Sequence, residues 1–187
     1  RDERINRIFE GTNEINRMII GGYILKKSVL EEIPIRLAIQ DRLENWLIES
    51  ENTYFILVEF CRSLMLNMSN HLILEYGQDL KNNQWILEPF ADMGISFCIL
   101  DTCFKRFSLL EDGLHKENTL KVFRLTLANH YSHMIKNSEL ILNYTKNKQM
   151  KKKIKECVDK LNYTPNPIEY KQDIVKDLYK HKKYYLD

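Results

Sequence analysis

Three stretches of this chain repeat apolar residues at steps of three and four, the spacing that lines one face of an α-helix. In Asn52–Tyr76 the stripe is Tyr54, Val58, Cys61, Met65, Met68, Leu72 and Tyr76, and Gly77 stops it. Trp85–Leu110 carries Ile86, Phe90, Met93, Phe97, Leu100, Phe104 and Phe107. Ile95, Cys98, Ile99 and Cys103 add a second apolar face there, so this helix is expected to be central and nearly surrounded, with Asp112-Gly113 ending it. Glu117–Tyr144 follows, with Leu120, Phe123, Leu127, Tyr131, Met134 and Ile141 on one stripe. Short polar connections make these antiparallel neighbours, and the fold class is all-α, an up-and-down helical bundle.

Weaker patterns flank the three. A first helix is predicted from about Asn13 until Gly21-Gly22 interrupts or ends it, with Tyr23 to Leu30 continuing helically. Ile33-Pro34 marks a break, and Pro34 suits a first helical position. Arg36 to Ile48 reads as a short helix with Ile39, Leu43, Trp46 and Leu47 on one face. Near the C-terminus a helix is expected from about Asn147 to Leu161. Another starts at Asn166-Pro167 and runs through Ile168, Tyr170, Ile174, Leu178 and Tyr185.

Composition adds limits. With 187 residues the chain can bury one well-formed core. Only 6 Gly and 4 Pro leave little material for a turn-rich β-fold. No apolar run approaches the roughly 20 residues of a spanning helix, and no secretory leader is read. Cys61, Cys98, Cys103 and Cys157 show no C-x-x-C pairing, so reduced, core-type cysteines are expected rather than a zinc site or a disulfide framework. His130 and His133 share a helix face without an acidic residue at ligand spacing, so no metal is expected there. His71 and Trp46 are assigned to packing. No phosphate loop, nucleophile–base pair or nucleic-acid pattern occurs.

Charge is unevenly placed. From Lys146 onward there are 12 Lys and no Arg against 6 acidic residues, a local +6, which leaves −4 for the first 145. A basic amphipathic element of this kind docks on an anionic bilayer or an acidic partner, whereas a solvated lysine face docks on nothing. Single-sign runs are common on soluble surfaces, so the solvated face is the favoured reading.

The chemistry lies at the start, Arg1-Asp2-Glu3-Arg4-Ile5-Asn6-Arg7-Ile8-Phe9-Glu10-Gly11-Thr12-Asn13-Glu14-Ile15-Asn16-Arg17. Thr12 suits an N-cap, and Asn13 and Glu14 suit a first helical turn. Taken alone, Glu10 is an acidic residue near a helix N-terminus. The whole run, however, resembles the catalytic-glutamate segment of flavin-dependent acyl-CoA dehydrogenases, Ile-Tyr/Phe-Glu-Gly-Thr-x-Glu-Ile-x-Arg. Some relatives carry the catalytic acid on another helix, but a Glu directly before Gly-Thr matches the commoner location. Trp85-Ile86-Leu87-Glu88-Pro89-Phe90-Ala91-Asp92 is similar to the family's Phe-Leu-x-x-Arg-Leu-Ala-Asp, with Pro89 and Phe90 in place of Arg-Leu and a kinked first turn expected.

The resemblance implies the following. Glu10 is the base that takes the α-proton of an acyl-CoA while the β-hydrogen leaves as hydride to FAD. Its backbone N–H shares, with a flavin ribityl hydroxyl, the stabilisation of the thioester carbonyl. Gly11 lets the substrate approach, and Thr12, Asn13 and Glu14 contact the cofactor. Residues 1–30 end a catalytic core and residues 34–187 form an appended helical domain, of which 146–187 is the basic segment. Very-long-chain members and bacterial relatives carry such an extension, and membrane attachment through 146–187 is implied by that likeness. The implied partners are acyl-CoA, an electron-transfer flavoprotein, and a second copy in a homodimer or dimer of dimers. The implied place is bacterial cytoplasm or mitochondrial matrix. The start at Arg1 fits a piece of a longer polypeptide, expected to be inactive alone. The alternative is a non-catalytic interaction, assembly or membrane-docking module of a protein of this kind.

Overall fold

The computed structural model describes residues 12–30, 32 and 35–181, and among these are seven α-helices and no strand. They are α1 (Asn13–Val29), α2 (Ile35–Arg42), α3 (Thr53–Tyr76), α4 (Gln84–Ser108), α5 (Leu114–Thr145), α6 (Lys148–Leu161) and α7 (Pro167–His181). The all-α class expected from periodicity is the one observed.

The three long helices form the core because their apolar stripes meet. Phe60, Cys61, Leu64, Met68 and Leu72 of α3 are fully buried, as are Ile86, Phe90, Met93 and Leu100 of α4 and Leu127 and Met134 of α5. Side-chain contacts give the directions. Phe55 near the start of α3 stacks on Phe104 near the end of α4, and Phe107 stacks on Phe123 near the start of α5. His71 toward the end of α3 meets Thr145, the last residue of α5. So α3 and α5 run one way and α4 the other. Both α6 and α7 return along α5, with Tyr163 against Tyr131 and then Asp177 paired with Lys121.

Several boundaries differ from expectation. Helix α1 passes unbroken through Gly21-Gly22. Helix α2 ends at Arg42 instead of continuing to Ile48. Leu43 is accordingly exposed, while Trp46 is buried from outside the helix with its indole N–H donating to the Leu43 carbonyl at 3.1 Å. A 3₁₀ turn at Gly77–Asn82, which the periodicity does not reveal, buries Leu80. Helix α4 stops at Ser108, before Asp112-Gly113, and α5 starts at Leu114 rather than Glu117. Pro89 lies inside α4 near its exposed start, where water can take the bond its missing N–H cannot make. Helix α4 packs on α1, α3 and α5, yet its second face is only partly covered. Cys98 is exposed, which corrects its assignment to the core. Pro34 and Tyr185 lie outside the described residues.

A charged seam holds α2, α3 and α4 together. Glu59 is buried and accepts from Arg42 at 2.6 Å and from Arg62 at 2.9 Å, and Arg62 reaches Asp101 at 2.7 Å. Burial opposes the charge of Arg62, but Glu59 and Asp101 outweigh it and hold its pKa above the usual value. Asn67 donates to the Arg42 carbonyl at 3.0 Å, tying down the end of α2.

Candidate functional site

Thr12 starts α1 as the sequence suggests. Its backbone is extended (φ −60°, ψ 156°) and its hydroxyl oxygen accepts from the Ile15 N–H at 3.3 Å. Asn13 beside it is half-buried and Glu14 is exposed. Glu10 and Gly11 lie outside the described residues. What the structure does bring together is the rest of the first motif and the second one. Arg17 Nε donates to Asp92 Oδ1 at 2.6 Å, joining α1 to α4 across 75 residues of sequence. That hydrogen bond raises the pKa of Arg17 against a smaller opposing effect of burial.

One turn further on, α1 comes so close to α4 that a side chain does not fit. A Cβ on Gly21 would stand 2.9 Å from the Leu87 carbonyl oxygen and 3.5 Å from the Ala91 Cβ. Across the interface, a Cβ on Gly94 would meet Ile24 Cδ1 at 3.1 Å. Gly21 therefore serves close packing rather than helix termination. Arg17 and Asp92 each end a quoted motif, but their pairing needed the fold.

The other chemistry-bearing residues sit elsewhere. His71 Nε2 lies 3.0 Å from Thr145 Oγ1 and His71 Nδ1 lies 3.3 Å from Asn147 Nδ2, so His71 does more than pack. His130 Nδ1 is 3.2 Å from Ser96 Oγ, and burial, then His133, lowers its pKa. His133 itself is exposed. Among the described residues no group of His, Cys, Asp and Glu is arranged to hold a metal ion. A groove of about 320 Å³ between α4 and α5 is lined by Cys103, Arg106, His115 and Phe123 among others.

The lysine-rich segment divides in two. Helix α6 buries Ile154 and Cys157 and turns Lys151, Lys152, Lys153 and Lys155 to solvent. Helix α7 exposes Ile168, Val175 and Tyr179 at spacings that share one face. Among the described residues no helix is long and apolar enough to cross a membrane.

No protein-family model matches the chain. A probable acyl-CoA dehydrogenase of Bacillus subtilis (strain 168) is 34% identical over 101 residues, which is 50% of this chain and 17% of that protein. The crystal structure of an acyl-CoA dehydrogenase from Bacillus anthracis, complexed with FAD, matches 98% of this chain with a TM-score of 0.83 and 26% identity. The match covers 33% of that chain. The sequence is thus related to acyl-CoA dehydrogenases, and it spans a third or less of the length of these two relatives.

Proposed function

We propose that the chain is the C-terminal part of a flavin-dependent acyl-CoA dehydrogenase that converts a fatty acyl-CoA to its trans-2-enoyl-CoA. The observation that carries this is the structural likeness over 98% of the chain to an enzyme of that class, together with the Glu10-Gly11-Thr12 segment in front of α1. In this reading residues 1–30 end the catalytic core and residues 34–187 are the appended helical domain.

Glu10 takes the α-proton of the acyl thioester, a step that needs a carboxylate whose pKa rises when substrate excludes water. Gly11 lets the substrate approach closely. Thr12, Asn13 and Glu14 face the cofactor, and their chemistry fits FAD. The Thr12 hydroxyl and Asn13 amide stand with backbone N–H groups at the N-terminus of a 17-residue helix, whose dipole favours phosphate oxygens. The Glu14 carboxylate suits the hydroxyl and amine donors of the cofactor rather than its phosphates. FAD, when bound, supplies the acceptor for the β-hydride, and an electron-transfer flavoprotein would then take up the electrons. A homodimer or dimer of dimers in bacterial cytoplasm or mitochondrial matrix completes this reading. The test is anaerobic titration of the intact flavoprotein with acyl-CoAs of increasing length. Bleaching of the oxidised flavin band by some of them supports the reading, and no bleaching by any overturns it.

Peripheral membrane contact through residues 146–187 has a narrower basis. Helix α6 exposes lysines without large apolar residues, whereas α7 exposes Ile168, Val175 and Tyr179 with Lys171 and Lys176 to either side. Co-sedimentation with anionic but not neutral vesicles, reduced by Val175→Asp, supports bilayer contact. Equal recovery with both vesicle types leaves the segment as a solvated surface.

A further inference from the structure

We propose that α4 is the seat that positions α1, with Asp92 and the Leu87 carbonyl as receptors and Arg17 and Gly21 as positioning residues for the Glu10 segment. The inference rests on the dehydrogenase reading for its functional half. Arg17 and Gly21 are four residues apart and share a helix face. The ion pair at 2.6 Å fixes how far α1 is rotated and slid along α4, and the absent side chain at Gly21 fixes how closely the two helices approach. Arg17 follows the Thr12 cap by five residues, about 7.5 Å along the axis. The anchor therefore sets where Thr12, at the N-terminus of α1, stands relative to α4.

Two features favour placement over bulk stability as the role of this pair. The Arg17 and Asp92 side chains keep 30% and 32% of their exposure, and ion pairs of that kind add little net stability. Alanine suits a helix interior better than glycine, so glycine at position 21 answers the need for close approach. Neighbouring Gly22 has nothing within 4 Å of a built Cβ and serves as the control. A general base has a narrow geometric tolerance, since a shift of about 1 Å can slow a reaction about 10²-fold.

The test has two arms. In the intact flavoprotein, amide hydrogen exchange across α1 should rise at least about tenfold in Gly21→Ala and about two- to fivefold in Asp92→Asn, with α3 unchanged. Gly22→Ala should match the parent or exchange more slowly. In the intact flavoprotein, the same two variants should reduce flavin about tenfold more slowly at saturating acyl-CoA, with the substrate dissociation constant within about twofold. The exchanged pair, Arg17→Asp with Asp92→Arg, should recover most of the rate. Unchanged α1 exchange overturns the seat. Altered exchange with an unaltered reduction rate overturns the positioning role. An unsubstituted flavoprotein that no acyl-CoA bleaches shows instead that the dehydrogenase reading has failed, and the positioning role fails with it.

Discussion

His71 accepts a hydrogen bond from the Asn147 side-chain amide at 3.3 Å, and the other end of that amide caps α6. The orientation is fixed, because Asn147 Oδ1 accepts from the Met150 N–H at 2.9 Å and leaves Nδ2 to donate. His71 Nδ1 must then be unprotonated, and Nε2–H donates to Thr145 at 3.0 Å. One neutral imidazole on α3 thus holds both sides of the turn between α5 and α6, where Lys146 adopts a left-handed conformation (φ 58°).

Burial lowers the pKa of His71, partly offset by Glu75 on the same helix. A histidine with a depressed folded pKa contributes stability above its unfolded pKa of about 6.5, and that contribution is lost as pH falls through the folded value. Urea unfolding should therefore give lower stability at pH 5 than at pH 7.5. His130 has the same sign, so the informative comparison is His71→Gln, which should flatten part of the slope. An unchanged slope in His71→Gln would show that the turn does not sense protonation.

Glu59 joins two arginines in a seam that is buried on one side only. Glu59→Ala leaves Arg42 and Arg62 without their shared carboxylate, and Arg42 Nη1 already has no partner. Breaking a fully buried pair costs about 3–5 kcal/mol, and the partly exposed arginines bring the expected loss to about 2 kcal/mol. Chemical denaturation reads this directly, and a loss under about 0.5 kcal/mol would mean that α2 is held by its apolar contacts alone.

Two aromatic residues near the start of α4 should separate cleanly. Phe90 is fully buried and Trp85 is 82% exposed. Phe90→Ala is expected to cost about 3–5 kcal/mol of stability. Trp85→Ala should stay within about 0.5 kcal/mol. A large loss for Trp85→Ala would mean that its face is covered in solution.

Periodicity revealed α3, α4 and α5 because their stripes are the buried core, so spacing and burial carry the same information. It extended α2 too far because Trp46 continues the apolar spacing, and a buried tryptophan looks alike in sequence whether it stands on a helix or in the turn after it. Cys98 was misplaced for a related reason, since residue type says nothing of which face a neighbour covers. Gly21 was ambiguous, as glycine marks a helix end and a close approach equally well. The Thr12 cap was legible because capping is local. The Arg17–Asp92 pair was not, because 75 residues separate its members.

Dehydrogenation as proposed depends most on Glu10 as the base. Stopped-flow reduction of the intact flavoprotein by its best acyl-CoA, compared between the parent and Glu10→Gln, tests that directly. The parent should bleach rapidly and Glu10→Gln should lose at least about 10²-fold in rate, in the range expected for removing a general base. Equal bleaching rates in the two proteins would contradict Glu10 as the base.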